Sequence, residues 1–172
     1  MNDALQIREA SVGDAPLVAA LLTELNLCVG AGGYAADEAK APEHAVVTAE
    51  QMERRLAAID GIETVYLAER DGEIVGFTSL RLVPYLDQDE PYAEVMQLYV
   101  RPSARRSGIA SALMRHAEEI AIDNGATALR VQTSAAPENA EAHAFYRAAG
   151  YAPLHYSFEK LLSETKDEAP HA

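Results

Sequence analysis

Basic residues are scarce in this chain: 14 lysines and arginines stand against 27 acids, so the net charge is 14 − 27 = −13. That excess repels nucleic acid and anionic membrane surfaces and favours a cationic or amine partner, while also keeping the chain soluble. Cysteine is nearly absent. Cys28 has no second cysteine for an internal disulfide and no clustered His or Cys at metal-ligand spacing, so it reads as a small buried hydrophobe and no metal site is expected. Long apolar runs are missing too: Ala15 to Leu22 is the longest, far too short to span a bilayer. The opening MNDALQIREA lacks a basic region followed by an apolar one, so no secretory signal is expected and a reducing cytoplasm is the expected setting. No Gly-x-x-x-x-Gly-Lys-Ser/Thr occurs, which leaves a P-loop for ATP or GTP unsupported. Tryptophan is absent, yet 49% of the 172 residues are hydrophobic, enough for one core. One domain over residues 1–162 is therefore expected, followed by a polar, frayed tail over 163–172.

The most informative stretch runs from Glu94 to Asn124, EVMQLYVRPSARRSGIASALMRHAEEIAIDN. Val95 to Val100 is β-prone, and Arg101-Pro102 ends the strand because proline cannot donate to a continuing ladder. After a turn, Ile109, Leu113, Ala117 and Ile120 recur as one face of a helix that begins near Ser107 or Gly108. The first turn of a helix exposes N–H groups without intrahelical partners at the positive end of the macrodipole, which suits a phosphate. Gly108 and Ala110 keep side chains out of the way, and Arg105 and Arg106 add charge-assisted donors. Arg105 to Ser111, including Ser107 and Ile109, thus reads as a pyrophosphate cradle.

In chain order, Leu5 to Arg8 reads as a first strand, and Ser11 to Asp14 before Pro16 opens a helix with the stripe Leu17, Val18, Leu21, Leu22 and Leu25. Gly30 to Ala35 matches Gly-x-Gly-x-x-Ala but follows a helix and leads to Pro42, the wrong context for a dinucleotide fingerprint, so it reads as a glycine-rich loop. Thr48 to Gln51 is a capping box opening a second helix, which makes residues 28–47 a long connection. Its Tyr34, Asp37, Glu38, Glu43 and His44 are candidates to shape an acceptor site. Two strands, Thr64 to Arg70 and Glu73 to Val83, meet at Asp71-Gly72, a strong hairpin signal. An acidic loop from Pro84 to Pro91 leads to the strand carrying Glu94. Asn124-Gly125 stops the central helix, and Ala128 to Thr133 returns as a strand parallel to the one before it. Pro137 begins a last helix that stops at Gly150, and Tyr151 to Leu161 supplies one or two closing strands. The fold class read from this order is α/β: a mixed six- to seven-stranded sheet with about four helices on both faces.

Arg105-x-x-Gly108-x-Ala110, preceded by Leu98-Tyr99-Val100-x-Pro102, resembles the Arg/Gln-x-x-Gly-x-Gly/Ala signature of the GNAT N-acetyltransferase superfamily. The segment from Asn139 to Tyr151, with His143, Tyr146 and Gly150, resembles that family's other recurring block in the expected order. The resemblance implies a GNAT-like fold, acetyl-CoA as co-substrate and a primary amine of a small molecule or peptide as acceptor, attacked directly in a ternary complex. It also implies that the 28–47 connection walls the acceptor cleft, and it leaves a homodimer open. Backbone N–H groups of Leu98, Tyr99 and Val100 would polarise the thioester carbonyl, Tyr146 would protonate the departing thiolate, and Asn139 would hydrogen-bond the pantetheine arm. Asn139, His143 and Tyr146 lie at i, i+4 and i+7 on one helix face; His143 and His116 read as structural. Glu94 is the candidate general base, since strict alternation puts it on the face of Met96, Leu98 and Val100, where desolvation would tune it. Glu69, Glu73, the loop acids or an ordered water chain are substitutes. A non-catalytic acyl-CoA-binding sensor is the rival function.

Overall fold

The computed structural model describes residues 4–29, 45–133 and 139–154. Its elements are β1 (Gln6–Glu9), a 3-10 turn (Val12–Asp14), α1 (Ala15–Val29), α2 (Ala49–Ile59), β2 (Glu63–Arg70), β3 (Glu73–Val83), β4 (Tyr92–Val100), α3 (Ile109–Asp123), β5 (Leu129–Val131) and α4 (Ala140–Ala148). The strands stand in sequence order, β1-β2-β3-β4-β5, antiparallel up to β4 and parallel from β4 to β5. Parallel pairing requires a crossover, and α3 provides it.

Local chemistry sets most of the boundaries. Asp71 and Gly72 have φ of 54° and 80°, the two positive values that a tight hairpin turn demands. Thr48 Oγ1 accepts the Gln51 N–H at 3.2 Å while Gln51 Oε1 accepts the Thr48 N–H at 3.0 Å, a reciprocal cap on α2. Asp14 caps the turn before α1 by accepting the Ser11 N–H at 2.8 Å. The Arg8 guanidinium, 2.7 Å away, holds the Asp14 carboxyl well below the usual carboxylate range.

Apolar side chains fill both faces of the sheet. On one, Val18 and Leu21 of α1 and Met52 of α2 pack over Leu67, Phe77 and Tyr99. On the other, Met114 and Ala117 of α3 cover Tyr66, Leu80 and Val95, with Phe145, Tyr146 and Tyr151 against the same cluster. His116 is edge-on to Tyr66, ring centroids 4.8 Å apart, a packing role as expected.

Three expectations need correction or limits. The described sheet has five strands rather than six or seven; residues 151–154 form none, and the rest of the expected closing segment lies outside the described residues. Cys28 is exposed, not buried, because the last turn of α1 runs past the core that α1 shares with α2. The glycine-rich loop, with Tyr34, Asp37, Glu38, Glu43 and His44, also lies outside the described residues.

Candidate active site

β4 does not alternate strictly. Ser79 pairs with Gln97 and Leu80 with Val95, which leaves Met96 as an extra residue, a β-bulge. Val95, Leu98 and Val100 therefore point toward α3, whereas Tyr99 points toward α1. By the same parity Glu94 shares the α1 side with Gln97 and Tyr99, not the face of Leu98 and Val100 that alternation predicted.

Glu94 is buried, 3% exposed. Arg81 donates to its Oε2 from Nε at 3.0 Å and from Nη2 at 2.6 Å, and Gln132 Nε2 donates to its Oε1 at 2.7 Å. Each carboxylate oxygen is thus engaged by a partner from a neighbouring strand or its end. Beside this group, Ser79 Oγ hydrogen-bonds Gln97 Oε1. Arg130, the β5 partner of Glu94, lies over the rings of Tyr92 and Tyr85 at 3.8 and 5.5 Å. None of Arg81, Gln132, Arg130, Tyr85 or Tyr92 was singled out from sequence. The parity of β3 through Phe77 and Ser79 would have put Arg81 on this face, but its register with Glu94 depends on the bulge.

The second feature is an opening in the sheet. β4 and β5 pair only from Ala93–Leu129 to Val95–Val131. Beyond the bulge, the Arg101 N–H donates to the Val75 carbonyl at 2.9 Å. Ladder alternation then turns the Leu98 and Val100 N–H groups away from β3, along an edge without a strand partner among the described residues. The same alternation turns the Tyr99 N–H toward β3, so the expectation that it would polarise the carbonyl beside Leu98 and Val100 is corrected; its hydroxyl donates to Glu24 at 3.1 Å and burial pushes its phenol up to about 12.

That edge leads into the turn before α3. Gly108, at φ 82°, is the N-cap, and the first helical bond runs from the Ala112 N–H to the Gly108 carbonyl at 2.9 Å. The N–H groups of Gly108, Ile109, Ala110 and Ser111 therefore have no acceptor within the helix. Arg105 folds back, its Nε donating to the Val100 carbonyl at 3.0 Å. Arg106 extends outward, with only a 4.0 Å contact to Glu141 between two highly exposed side chains. Ser107 Oγ donates to the Ala104 carbonyl at 2.6 Å and accepts from Arg70 Nη1 at 3.2 Å. Arg70, from the β2–β3 hairpin, is thus a further cation at this turn that sequence reading missed. These residues fit a pyrophosphate: open N–H donors, the guanidiniums of Arg70 and Arg106 at the turn, and no side chain at Gly108.

On α4, Asn139 is the N-cap but its side chain makes no capping bond, and His143 and Tyr146 are half-buried on the same side. The Tyr146 ring packs on Phe145 at 5.3 Å and on Tyr151 at 5.9 Å, and burial pushes its phenol up to about 12. Tyr151 in turn donates to Glu118 at 2.9 Å, tying the end of α4 to α3. Tyr146 packs against the α3-side cluster, whereas Glu94 is on the opposite face, paired with Arg130.

An antiparallel meander that turns into a parallel crossover, and opens at the join onto a helix N-terminus, defines a GNAT-like fold. The profile of the Acetyltransferase (GNAT) family matches residues 33–151, and the chain belongs to that family. An aminoalkylphosphonate N-acetyltransferase from Salmonella typhimurium is 36% identical over 96 residues, 56% of this chain. The match spans 61% of that relative's length. An aminoglycoside acetyltransferase from an uncultured soil metagenomic sample superposes with a TM-score of 0.73 at 23% identity, covering 93% of this chain and 99% of that one. A ribosomal-protein-alanine N-acetyltransferase from Brucella melitensis biovar Abortus does so at 0.71 and 21%, covering 92% and 99%. At that identity these two share the fold.

Proposed function

We propose that this protein transfers an acetyl group from acetyl-CoA to a primary amine of a small molecule or peptide by direct attack within a ternary complex. The observation that carries the reading is the Leu98–Val100 edge, without a strand partner among the described residues, running into the open first turn of α3. When bound, acetyl-CoA supplies an electrophilic thioester carbonyl. The N–H groups of Gly108 to Ser111, with Arg106 and Arg70, hold the pyrophosphate, and Arg105 braces the strand end from which the turn departs. The Asn139 amide, free of capping duty, hydrogen-bonds the pantetheine arm. Leu98 and Val100 offer N–H donors where negative charge develops on the carbonyl oxygen.

Glu94 takes the ammonium proton, directly or through water, and Arg81 and Gln132 fix its carboxylate in place. Tyr146, with a neutral phenol, would protonate the departing thiolate. Its surroundings keep the phenol neutral well above physiological pH. A relative named for aminoalkylphosphonates supports a small-molecule acceptor. No helix among the described residues is long and apolar enough to cross a membrane, and the single cysteine suits a reducing cytoplasm as its setting.

Thiol release from acetyl-CoA across a panel of amines tests the reading. Release that depends on an added primary amine is the expected result. Tight acetyl-CoA binding with no amine-dependent release would replace the enzyme by a cofactor-binding sensor.

A further inference from the structure

Among the described residues Arg130 is set apart by burial without a partner. Arg8, Arg54, Arg81, Arg101 and Arg106 each have a carboxylate within ion-pair distance, and the other arginines without one have no buried, unsatisfied nitrogen. Arg130 has none among the described residues, although its Nε is buried and makes no hydrogen bond. Leaving a buried charged donor unmade is costly, so a site that tolerates one has a use for it. The side chain is also held still: Tyr92 and Tyr85 cover its guanidinium, and Nη2 hydrogen-bonds the Tyr85 hydroxyl. The rings satisfy the flat faces of the cation and leave edge donors to spare, because cation–π contact uses none of them.

Its location gives the anomaly meaning. Leu129 and Val131 point into the α3-side core, so Arg130 points to the other face, where its β4 partner is Glu94. Paired strands are about 5 Å apart, so an unpaired cation and a buried carboxylate sit side by side. With Arg81, the group is two guanidiniums to one carboxylate, a local positive excess in a chain of net charge −13. A neutral or dicationic amine would leave that excess uncompensated.

We infer that Arg130 binds an anionic group of the acceptor, so that the acceptor class is a short zwitterionic amine: a phosphonate, phosphate or carboxylate a few bonds from the primary amine. The anion sits against Arg130, and the amine lies toward Glu94 and the β4–β5 opening. The inference rests on the acetyl-transfer reading above and narrows it from amines in general to those with an anion at short range.

The test compares kcat/KM for 2-aminoethylphosphonate and β-alanine with that for ethanolamine and propylamine, in the wild type and in Arg130→Met and Arg130→Lys. Methionine keeps an apolar stem on the tyrosines and removes the charge; lysine keeps the charge without the fork. The wild type should favour the anionic amines by about 10- to 100-fold, the worth of one charge-assisted contact. That ratio should fall to about one in Arg130→Met and to an intermediate value in Arg130→Lys. A wild type without preference, or a ratio untouched by Arg130→Met, overturns the inference and leaves acetyl transfer standing. Should no amine be acetylated, the transfer reading fails on its own. Calorimetry of 2-aminoethylphosphonate with the CoA-loaded protein then decides the subsite: binding that Arg130→Met abolishes supports it, and no binding overturns it.

Discussion

Tyr146 combines an observed packing role with a proposed chemical one. Its ring closes the core between Phe145 and Tyr151, and the burial that makes it structural also raises its phenol to about 12. The folded-state value lies above the ordinary one, so the neutral phenol is the form the fold favours. Its contribution to stability is fully present below pH 10 and is lost as pH rises from there toward about 12. Across the physiological range the hydroxyl remains a donor. Phenylalanine keeps the ring and removes the proton, so Tyr146→Phe should melt within a few degrees of wild type and bind acetyl-CoA within a few-fold. Its kcat should nonetheless fall on the order of 10²-fold. Full kcat in the variant would make the hydroxyl structural and solvent the acid; joint loss of melting temperature and cofactor binding would make packing its whole role.

At the scale of elements, β4 and the start of α3 work as one unit: the strand presents outward N–H groups, and the turn after it presents more. Gly108 is the pivot, because φ of 82° is a conformation that side chains resist. A Cβ there would meet nothing within 4 Å, so Gly108→Ala carries only the backbone strain, about 1–2 kcal/mol. Gly108→Glu adds a carboxylate where the proposal puts a phosphate. Calorimetry should show acetyl-CoA affinity at least about tenfold weaker for Glu than for Ala, the scale of one charge-assisted contact; equal affinities would move the pyrophosphate elsewhere. The turn chemistry behind this unit was legible from sequence. Asp71-Gly72, Thr48 with Gln51, Gly108 and Asn124-Gly125 each act within a few residues, so local spacing was enough to place the hairpin, the helix starts and the crossover. The bulge at Met96 was not legible, because it depends on how β4 registers against β3. Strict alternation therefore put Glu94 on the wrong face. Its partners Arg81, Gln132 and Arg130 come from strands that only the tertiary fold brings together, and Cys28 was misread because the length of α1 beyond its core was not visible.

For the whole molecule, the proposed transfer uses both faces of the sheet. Glu94 and the Arg130 cluster face one side of the sheet, and Tyr146 packs on the other. The proposed ternary complex has acceptor and cofactor in the site together, neither leaving before the other binds. Cys28, the one cysteine, is exposed near the end of α1 and lies beside the Tyr99 phenol. Glu94, engaged by Arg81 and Gln132, is disposed to orient charge rather than to carry an acyl group. The acetyl group should pass straight from sulfur to nitrogen. The direct measurement varies acetyl-CoA and the best amine together and plots reciprocal initial velocities. Intersecting lines, with no acetylated protein isolable in the absence of amine, are the result this account predicts. Parallel lines with a covalent acetyl-protein intermediate would contradict it.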